Sequence, residues 1–439
     1  MDSLAEAALQ GAPAEELEKL SVPSDYMALH TRAEDASMFS GETDKDVRRS
    51  LRLGRVPMPE LAPDEVLIAV MASSINYNTV WSATFEPVST FPFLKQMARR
   101  GYWGARHDLP HHVLGSDAAG VVVRVGSGVS RWKVGDHVVV ATTHVDNEDP
   151  ATHGDGMMGA DQRAWGFETN FGGLAHYSVV PTNQLLPKPA HLTWEEAAAN
   201  PLCAGTAYRM LVSERGARMK QGDVVLIWGA AGGLGAYAAQ FVRNGGGIAV
   251  GVVGSPDKAR HALAMGCDHV IDRQEIGLTG DAPSDPAAVG KRLGKAIRKA
   301  TGEDPHIVFE HVGRATFGLS VFVCRRGGTV VTCGSSTGYR HEFDNRYLWM
   351  RLKRVIGSHG ANLQEQAETN RLIGLGRVST ALSTTFPLAQ APEAARLVQR
   401  NEHIGKVGVL ALAPNEGLGV TDPALRERIG EQALAPLRN

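Results

Sequence analysis

Between Tyr26 and about Pro189, short apolar runs alternate with Gly, Pro and Asp clusters. Glu65–Val70, Gly120–Val125 and Asp136–Val140 are such runs, and their spacing predicts a partly open β-barrel domain. From Glu195 the texture changes. Glu195-Glu196-Ala197-Ala198-Ala199 opens a helix, and then continuous apolar strands alternate with helices. Strands are predicted at Val224–Ile227, Ile248–Val253, His269–Ile271, Ile307–Phe309, Thr329–Cys333 and Val355–Ile356, with helices at Leu234–Asn244 and about Asp257–Met265. Uninterrupted apolar strands between helices indicate a doubly wound parallel sheet covered on both faces, an α/β class. After His359 an amphipathic helix near Glu393–Arg400 and a strand at Val407–Leu412 are expected to rejoin the first domain. The predicted division is 1–205, 206–357 and a returning segment 358–439. Leu4–Leu20 reads as helical, an interaction arm or a packed surface helix, and Gly41–Asp46 as a turn-rich insertion.

A chain of 439 residues is too long for one ordinary core, which supports two domains. A formal net charge of −2 gives no electrostatic reason to expect nucleic acid or an anionic membrane as partner. The four cysteines, Cys203, Cys267, Cys324 and Cys333, lack Cys-x-x-Cys spacing and read as small buried hydrophobes in a reducing compartment. The N-terminus has neither a basic nor an apolar leader region, so a cytoplasmic location is expected.

Val225-Leu226-Ile227-Trp228-Gly229-Ala230-Ala231-Gly232-Gly233-Leu234-Gly235 is a strand, a glycine turn and a helix start. Gly229, Ala231, Gly232, Gly233, Leu234 and Gly235 are the candidate pyrophosphate cradle, because glycines permit close backbone approach and the helix start supplies amides. A cofactor with a free ribose hydroxyl wants an acidic residue after the second strand. Here Gly254 is followed by Ser255 and Lys258, with Arg273 after the third strand, which suits a 2′-phosphate and favours NADPH. Asp257 weakens this slightly, or serves as the N-cap of the next helix.

Trp165 through Gly173 places Glu168 and Asn170 among three aromatic rings, beside a Gly-Gly pair. A bare buried carboxylate is costly, so Glu168 must be solvated, paired or given a task. This run, with Ser73 through Trp81, Asp344 through Met350 and Ile356 through His359, resembles the crotonyl-CoA carboxylase/reductase family of the medium-chain dehydrogenase/reductase superfamily. The resemblance runs from about Tyr26 to the C-terminus. It implies a GroES-like catalytic domain, a Rossmann-type NADPH domain and a homotetramer built as a dimer of dimers. Gly115-Ser116-Asp117 stands where the zinc enzymes of the superfamily keep Gly-His-Glu, so no metal is expected.

The reaction the resemblance implies is reduction of a 2-enoyl-CoA at its β-carbon by NADPH, followed by attack of the α-carbon on carbon dioxide to give a (2S)-alkylmalonyl-CoA. Asn78 and His359 are the expected hydrogen-bond donors to carbon dioxide, His359 directly or through water. Glu168 is expected to orient His359 or a bridging water. Phe167, with the backbone amides near Gly172 and Gly173, would shape and dry the pocket. Structural readings remain beside these: Asn78 in a turn, His359 as a strand end, Glu168 in an ion pair. Asn76 reads as structural. Ala164 and Gly360 are small where relatives favouring crotonyl groups carry bulkier residues, which points to longer or branched enoyl groups unless Leu363 refills the space. Arg346, Arg351, Lys353 and Arg354 are candidates for the CoA phosphates, or a surface or subunit-contact run. The rivals are a plain NADPH-dependent enoyl-thioester or quinone reductase, with Tyr77 as proton donor, and a non-catalytic NADPH-binding sensor or scaffold.

Overall fold

Eighteen strands, in a computed structural model that describes residues 1–280 and 285–438, divide between two units. The first holds residues 1–202, 362–370 and 382–434, the second 203–361, 371–381 and 435–439. In the first unit the strands are β1 (Asp25–Arg32), β2 (Arg52–Pro57), β3 (Glu65–Ile75), β4 (His111–Val113), β5 (Ala118–Val125), β6 (His137–Val140), β7 (Thr143–His144), β8 (Arg163–Ala164), β9 (Tyr177–Pro181) and β10 (Leu185–Pro187). The second unit contributes β11 (Val224–Trp228), β12 (Ile248–Val253), β13 (His269–Asp272), β14 (Ile307–Glu310), β15 (Thr329–Thr332) and β16 (Arg354–Gly357). The chain then returns to the first unit as β17 (Leu382–Pro387) and β18 (Lys406–Leu410).

In the first unit a seven-stranded sheet runs β10-β6-β5-β3-β18-β17, with β9 also on β3, and a three-stranded sheet runs β2-β1-β4. Every residue of β3 is buried. The sequence explains this: the strand is apolar or small throughout, and the helices Ser3–Leu9, Trp194–Ala198 and Ala391–Gln399 pack on it. Its one charged residue, Glu65, takes Arg106 at 2.8 Å. The expected helix over Leu4–Leu20 is two helices, Ser3–Leu9 and Ala14–Lys19. Gly11 at φ +72° and Pro13 enforce the break. This segment is packed: Leu4 and Leu17 are fully buried, and the Tyr177 hydroxyl donates to Asp2 at 2.7 Å.

The second unit is a six-stranded parallel sheet, β13-β12-β11-β14-β15-β16, the order of a doubly wound fold. Helices Gly233–Asn244, Pro256–Ala264 and Pro286–Thr301 accompany it. The last presents Val289, Leu293 and Ile297, spaced by four, to the core.

At the end of β3 a buried carboxylate gathers distant parts of the first unit. Asp117 Oδ2 accepts from Ser74 Oγ at 2.6 Å, Asn76 Nδ2 at 2.7 Å and Lys406 Nζ at 3.1 Å. Its Oδ1 accepts the Leu202 amide at 2.9 Å. Asp117 and Lys406 side chains are 0% and 2% exposed. Replacing Lys406 by Ala strands the carboxylate and is expected to cost about 3–5 kcal/mol, read as a lower urea midpoint. Asp117→Asn in that background should recover most of the loss. A Lys406→Ala midpoint equal to that of the parent would show that the neutral donors suffice.

Candidate active site

Asn78 lies in the first turn of the helix Tyr77–Thr84, directly after β3. Its Nδ2 donates to Ser116 Oγ at 2.8 Å, and Ser116 Oγ donates to the Trp165 carbonyl at 2.6 Å. Asn78 is thus tied through one hydroxyl to the run Trp165–Gly173. Within that run Phe167 N and Glu168 N both donate to the Ala164 carbonyl, at 3.2 and 2.8 Å. Glu168 Oε2 returns to accept the Ala164 amide at 2.8 Å. One carboxylate oxygen is therefore spent on closing its own turn. The half-buried Phe167 ring stands 6.4 Å from both Trp81 and Phe93, and Tyr77 meets Trp81 edge-on at 5.4 Å. Asn78, Phe167, Glu168 and Ala164 are all brought together in the first unit.

The Gly-Gly pair has a different job from the one expected. The Gly172 and Gly173 amides donate to the Val113 and Gly115 carbonyls at 3.0 and 2.8 Å, so neither is left for a pocket. A side chain at Gly172 would sit 2.5 Å from the Leu114 backbone, and one at Gly173 2.3 Å from the Asp117 carbonyl. These glycines permit chain-to-chain contact. Asn76, expected to be structural, is in the Asp117 network.

Sequence reasoning missed the buried imidazoles that hold this run. His107 Nδ1 accepts the Asn170 amide at 3.0 Å. His112 meets the Thr169 carbonyl through Nε2 at 3.1 Å and the Thr90 hydroxyl through Nδ1 at 2.8 Å. A carbonyl only accepts, so His112 carries its proton on Nε2, and His107 is unprotonated at Nδ1. Burial, first, pushes His107 down to about 3 and His112 and His144 down to about 4.

In the second unit the glycine turn is built as expected. Gly229 has φ +59°, and a side chain there would come 3.1 Å from His311 Cε1. Gly232 caps the helix Gly233–Asn244, and a side chain at Gly235 would lie 2.5 Å from the Gly229 carbonyl. Ala231 and Leu234 complete the turn. His311 Nε2 donates to the Trp228 carbonyl at 2.8 Å. The adjoining Glu310 carboxylate is buried but satisfied by Val312 N, Gly313 N, Thr316 Oγ1 and Ser320 Oγ. At the end of β12, Arg273 Nε lies 3.0 Å from where a Gly254 side chain would begin. Lys258 is held below its ordinary value by burial and then by Arg273. Two crowded cations at a glycine suit a dianionic phosphate. Ser255, not Asp257, is the helix N-cap, its hydroxyl accepting the Lys258 amide at 3.3 Å.

His359 follows β16 in the second unit and is exposed; Gly360 beside it has φ +48°. Among the basic run, Arg346 pairs with Asp344 at 2.6 Å. Lys353 Nζ donates to the Val321 and Phe322 carbonyls at 2.6 and 3.1 Å, ending the helix Phe317–Val323. Those bonds give Lys353 a structural task in place of the expected phosphate contact. Arg351 and Arg354 are exposed. Leu363 lies in the first unit, in a cleft of about 150 Å³ with Thr143, the cross-strand partner of Ala164. Among the described residues no group of three or more His, Cys, Asp or Glu side chains is arranged to hold a metal, and no helix is long and apolar enough to cross a membrane.

These two units are those of the medium-chain dehydrogenase/reductases: residues 62–190 match the alcohol dehydrogenase GroES-like domain and residues 233–375 the zinc-binding dehydrogenase domain. Crotonyl-CoA reductase of Streptomyces collinus is 55% identical over 93% of this chain and 92% of its own. Crotonyl-CoA carboxylase/reductase of Cereibacter sphaeroides is 39% identical over 90% of each. The solved structure of the 2-octenoyl-CoA carboxylase reductase CinF, in complex with NADP and 2-octenoyl-CoA, is 67% identical, with a TM-score of 0.98 over 100% of this chain and 99% of that one. The chain belongs to the crotonyl-CoA carboxylase/reductase family, a family of oxidoreductases.

The neutral histidines give this site an acid limit. Their folded values lie below the unfolded value of about 6.5, so the unfolded chain binds more protons as pH falls. Stability is full above about pH 6.5 and declines below it by ~1.4 kcal/mol per pH unit for each such histidine, down to the folded values. Urea midpoints at pH 7.5 and pH 5 should differ by a margin that shrinks in His107→Gln. Equal margins in parent and variant would remove His107 from this account.

Proposed function

We propose that the protein is an NADPH-dependent carboxylase/reductase that converts a 2-enoyl-CoA and carbon dioxide into a (2S)-alkylmalonyl-CoA. The observation that carries this reading is the Asn78 amide, held by Ser116 against the run bearing Phe167 and Glu168. When bound, NADPH supplies the hydride that reaches the β-carbon. Gly229, Ala231, Gly232, Gly233, Leu234 and Gly235 are assigned its pyrophosphate, and Ser255, Lys258 and Arg273 its 2′-phosphate. The electron pair left at the α-carbon forms the new carbon–carbon bond with carbon dioxide, and the product carboxylate takes the charge.

This chain has two tasks: to hold carbon dioxide, and to withhold a proton from the α-carbon. Asn78 has a second amide hydrogen for a carbon dioxide oxygen, and His359 is assigned the other donor, directly or through water. The free oxygen of Glu168 is assigned to His359 or that water. Phe167, with Trp81 and Phe93, excludes solvent. Burial raises the Tyr77 phenol above its ordinary value, and the plain reductase with Tyr77 as proton donor is the rival that the product assay separates. The CoA phosphates are assigned to Arg346, Arg351 and Arg354.

The same reading includes self-association. β16 is an outer strand of its sheet, and Trp349, Met350, Leu352 and Val355 around it are 41–65% exposed. An open apolar edge is covered most simply by a second copy, as in a homotetramer made of dimers. The four cysteines form no disulfide among the described residues, as suits a cytoplasmic enzyme.

The test is turnover of enoyl-CoAs of four, six and eight carbons with NADPH, with and without bicarbonate, products read by mass spectrometry. The alkylmalonyl thioester is expected as the main product at saturating carbon dioxide. Reduced acyl-CoA alone under those conditions would leave the plain reductase.

Ala164 and Gly360 are proposed to open the acyl pocket to longer or branched chains, and the similarity to the 2-octenoyl-CoA enzyme supports that preference. Ala164→Ile tests it more cleanly than Gly360→Phe, because Gly360 has a backbone conformation that a Phe would strain. Two methylenes displaced at ~0.8 kcal/mol each correspond to about a fifteenfold fall in the octenoyl-to-crotonyl ratio of kcat/KM. An unchanged ratio would remove Ala164 from the pocket.

A further inference from the structure

Ser116 is 1% exposed, between Gly115, whose φ is +114°, and the buried Asp117. Its hydroxyl has one proton. The Trp165 carbonyl at 2.6 Å can only accept, so that proton is spent there. The Ser116 oxygen must then accept from Asn78, which fixes Nδ2 rather than Oδ1 of Asn78 toward it at 2.8 Å. The amide flip of Asn78, ambiguous for an isolated Asn, is decided by a carbonyl belonging to the run that carries Phe167 and Glu168. Both ends of the relay are anchored. Asn76, two residues before Asn78, and Asp117, next to Ser116, share a hydrogen bond of 2.7 Å. Trp165 N donates to the Thr142 carbonyl at 2.9 Å.

We propose that Ser116 is a positioning residue for the carboxylation step, holding the Asn78 amide with a donor toward carbon dioxide and setting its spacing from the Glu168 turn. The proposal rests on the reading of Asn78 as a carbon dioxide donor. Without the hydroxyl, the Asn78 amide is free to turn its carbonyl toward the site. A carbonyl repels carbon dioxide oxygens and leaves the α-carbon to be protonated.

The experiment measures the ratio of alkylmalonyl-CoA to reduced acyl-CoA per NADPH oxidised, across carbon dioxide concentrations, for the parent, Ser116→Ala, Ser116→Thr, Asn78→Ala and the double variant Ser116→Ala/Asn78→Ala. Ser116→Ala is expected to lower the ratio about fivefold and to raise the KM for carbon dioxide more than that for the enoyl-CoA. Ser116→Thr, which keeps the hydroxyl, should recover most of the ratio. The double variant should be no worse than Asn78→Ala, since Ser116 acts only through that amide. Losses that add in the double variant, or a Ser116→Ala ratio equal to the parent's, would overturn the role. Should Ser116→Ala fail to fold by circular dichroism, Ser116→Thr and Ser116→Cys are compared, and equal ratios in those two overturn it. A parent that yields no carboxylated product at any carbon dioxide concentration fails the functional reading itself, a result separate from these.

Discussion

One buried carboxylate organises the first unit. Asp117 is fully enclosed, and an ionised group there is tolerated only if its lone pairs are met. The donors come from Ser74 and Asn76 at the end of β3, Lys406 at the start of β18, and the amide of Leu202, where the chain leaves this unit. Two of these donors, Asn76 and Lys406, are 330 residues apart. Failure of any one leaves the others holding an unsatisfied charge, so the contacts form together. Asn78 is two residues from one member of this set and Ser116 is adjacent to another. The site inherits its rigidity from a group that takes no part in the chemistry.

The second unit uses the same device at its glycine turn. Glu310 collects two backbone amides and two hydroxyls where β14 ends, and one of those hydroxyls, Ser320, also accepts the Trp228 indole at 2.8 Å. The strand end and the turn entry are thereby linked through the Ser320 hydroxyl. Around Trp165–Gly173 the solution is the reverse: neutral imidazoles of His107 and His112 pair with backbone groups and bring no charge.

The repeating features were legible in the sequence. The six strands of the parallel sheet fall within a residue or so of their apolar runs, because β-branched clusters bounded by turn residues have few other uses. The helix Pro286–Thr301 was not anticipated: Val289, Leu293 and Ile297 form its buried face, but Gly290 and Gly294 interrupt the pattern. Hydrogen-bond partners far apart in sequence were not legible. Gly172 and Gly173 suggest ligand access by type, and only the neighbouring segment Val113–Gly115 shows that their amides are already used. Ser255 and Lys353 likewise hold helix ends as well as their charge or hydroxyl. A residue type states what a group can donate or accept; the fold decides which demand reaches it first.

That distinction bears on how the site separates carboxylation from protonation. The first-unit groups near Asn78 offer few transferable protons. The Ser116 proton is bound to the Trp165 carbonyl, and the His112 proton faces the Thr169 carbonyl. What remains is the amide of Asn78, a strong hydrogen-bond donor that does not give up its proton at neutral pH. Carbon dioxide needs donors to be located, whereas a proton needs an acid to deliver it. On the proposed reading, an amide satisfies the first requirement without meeting the second, which suits Asn78 to the task better than a Ser or Tyr.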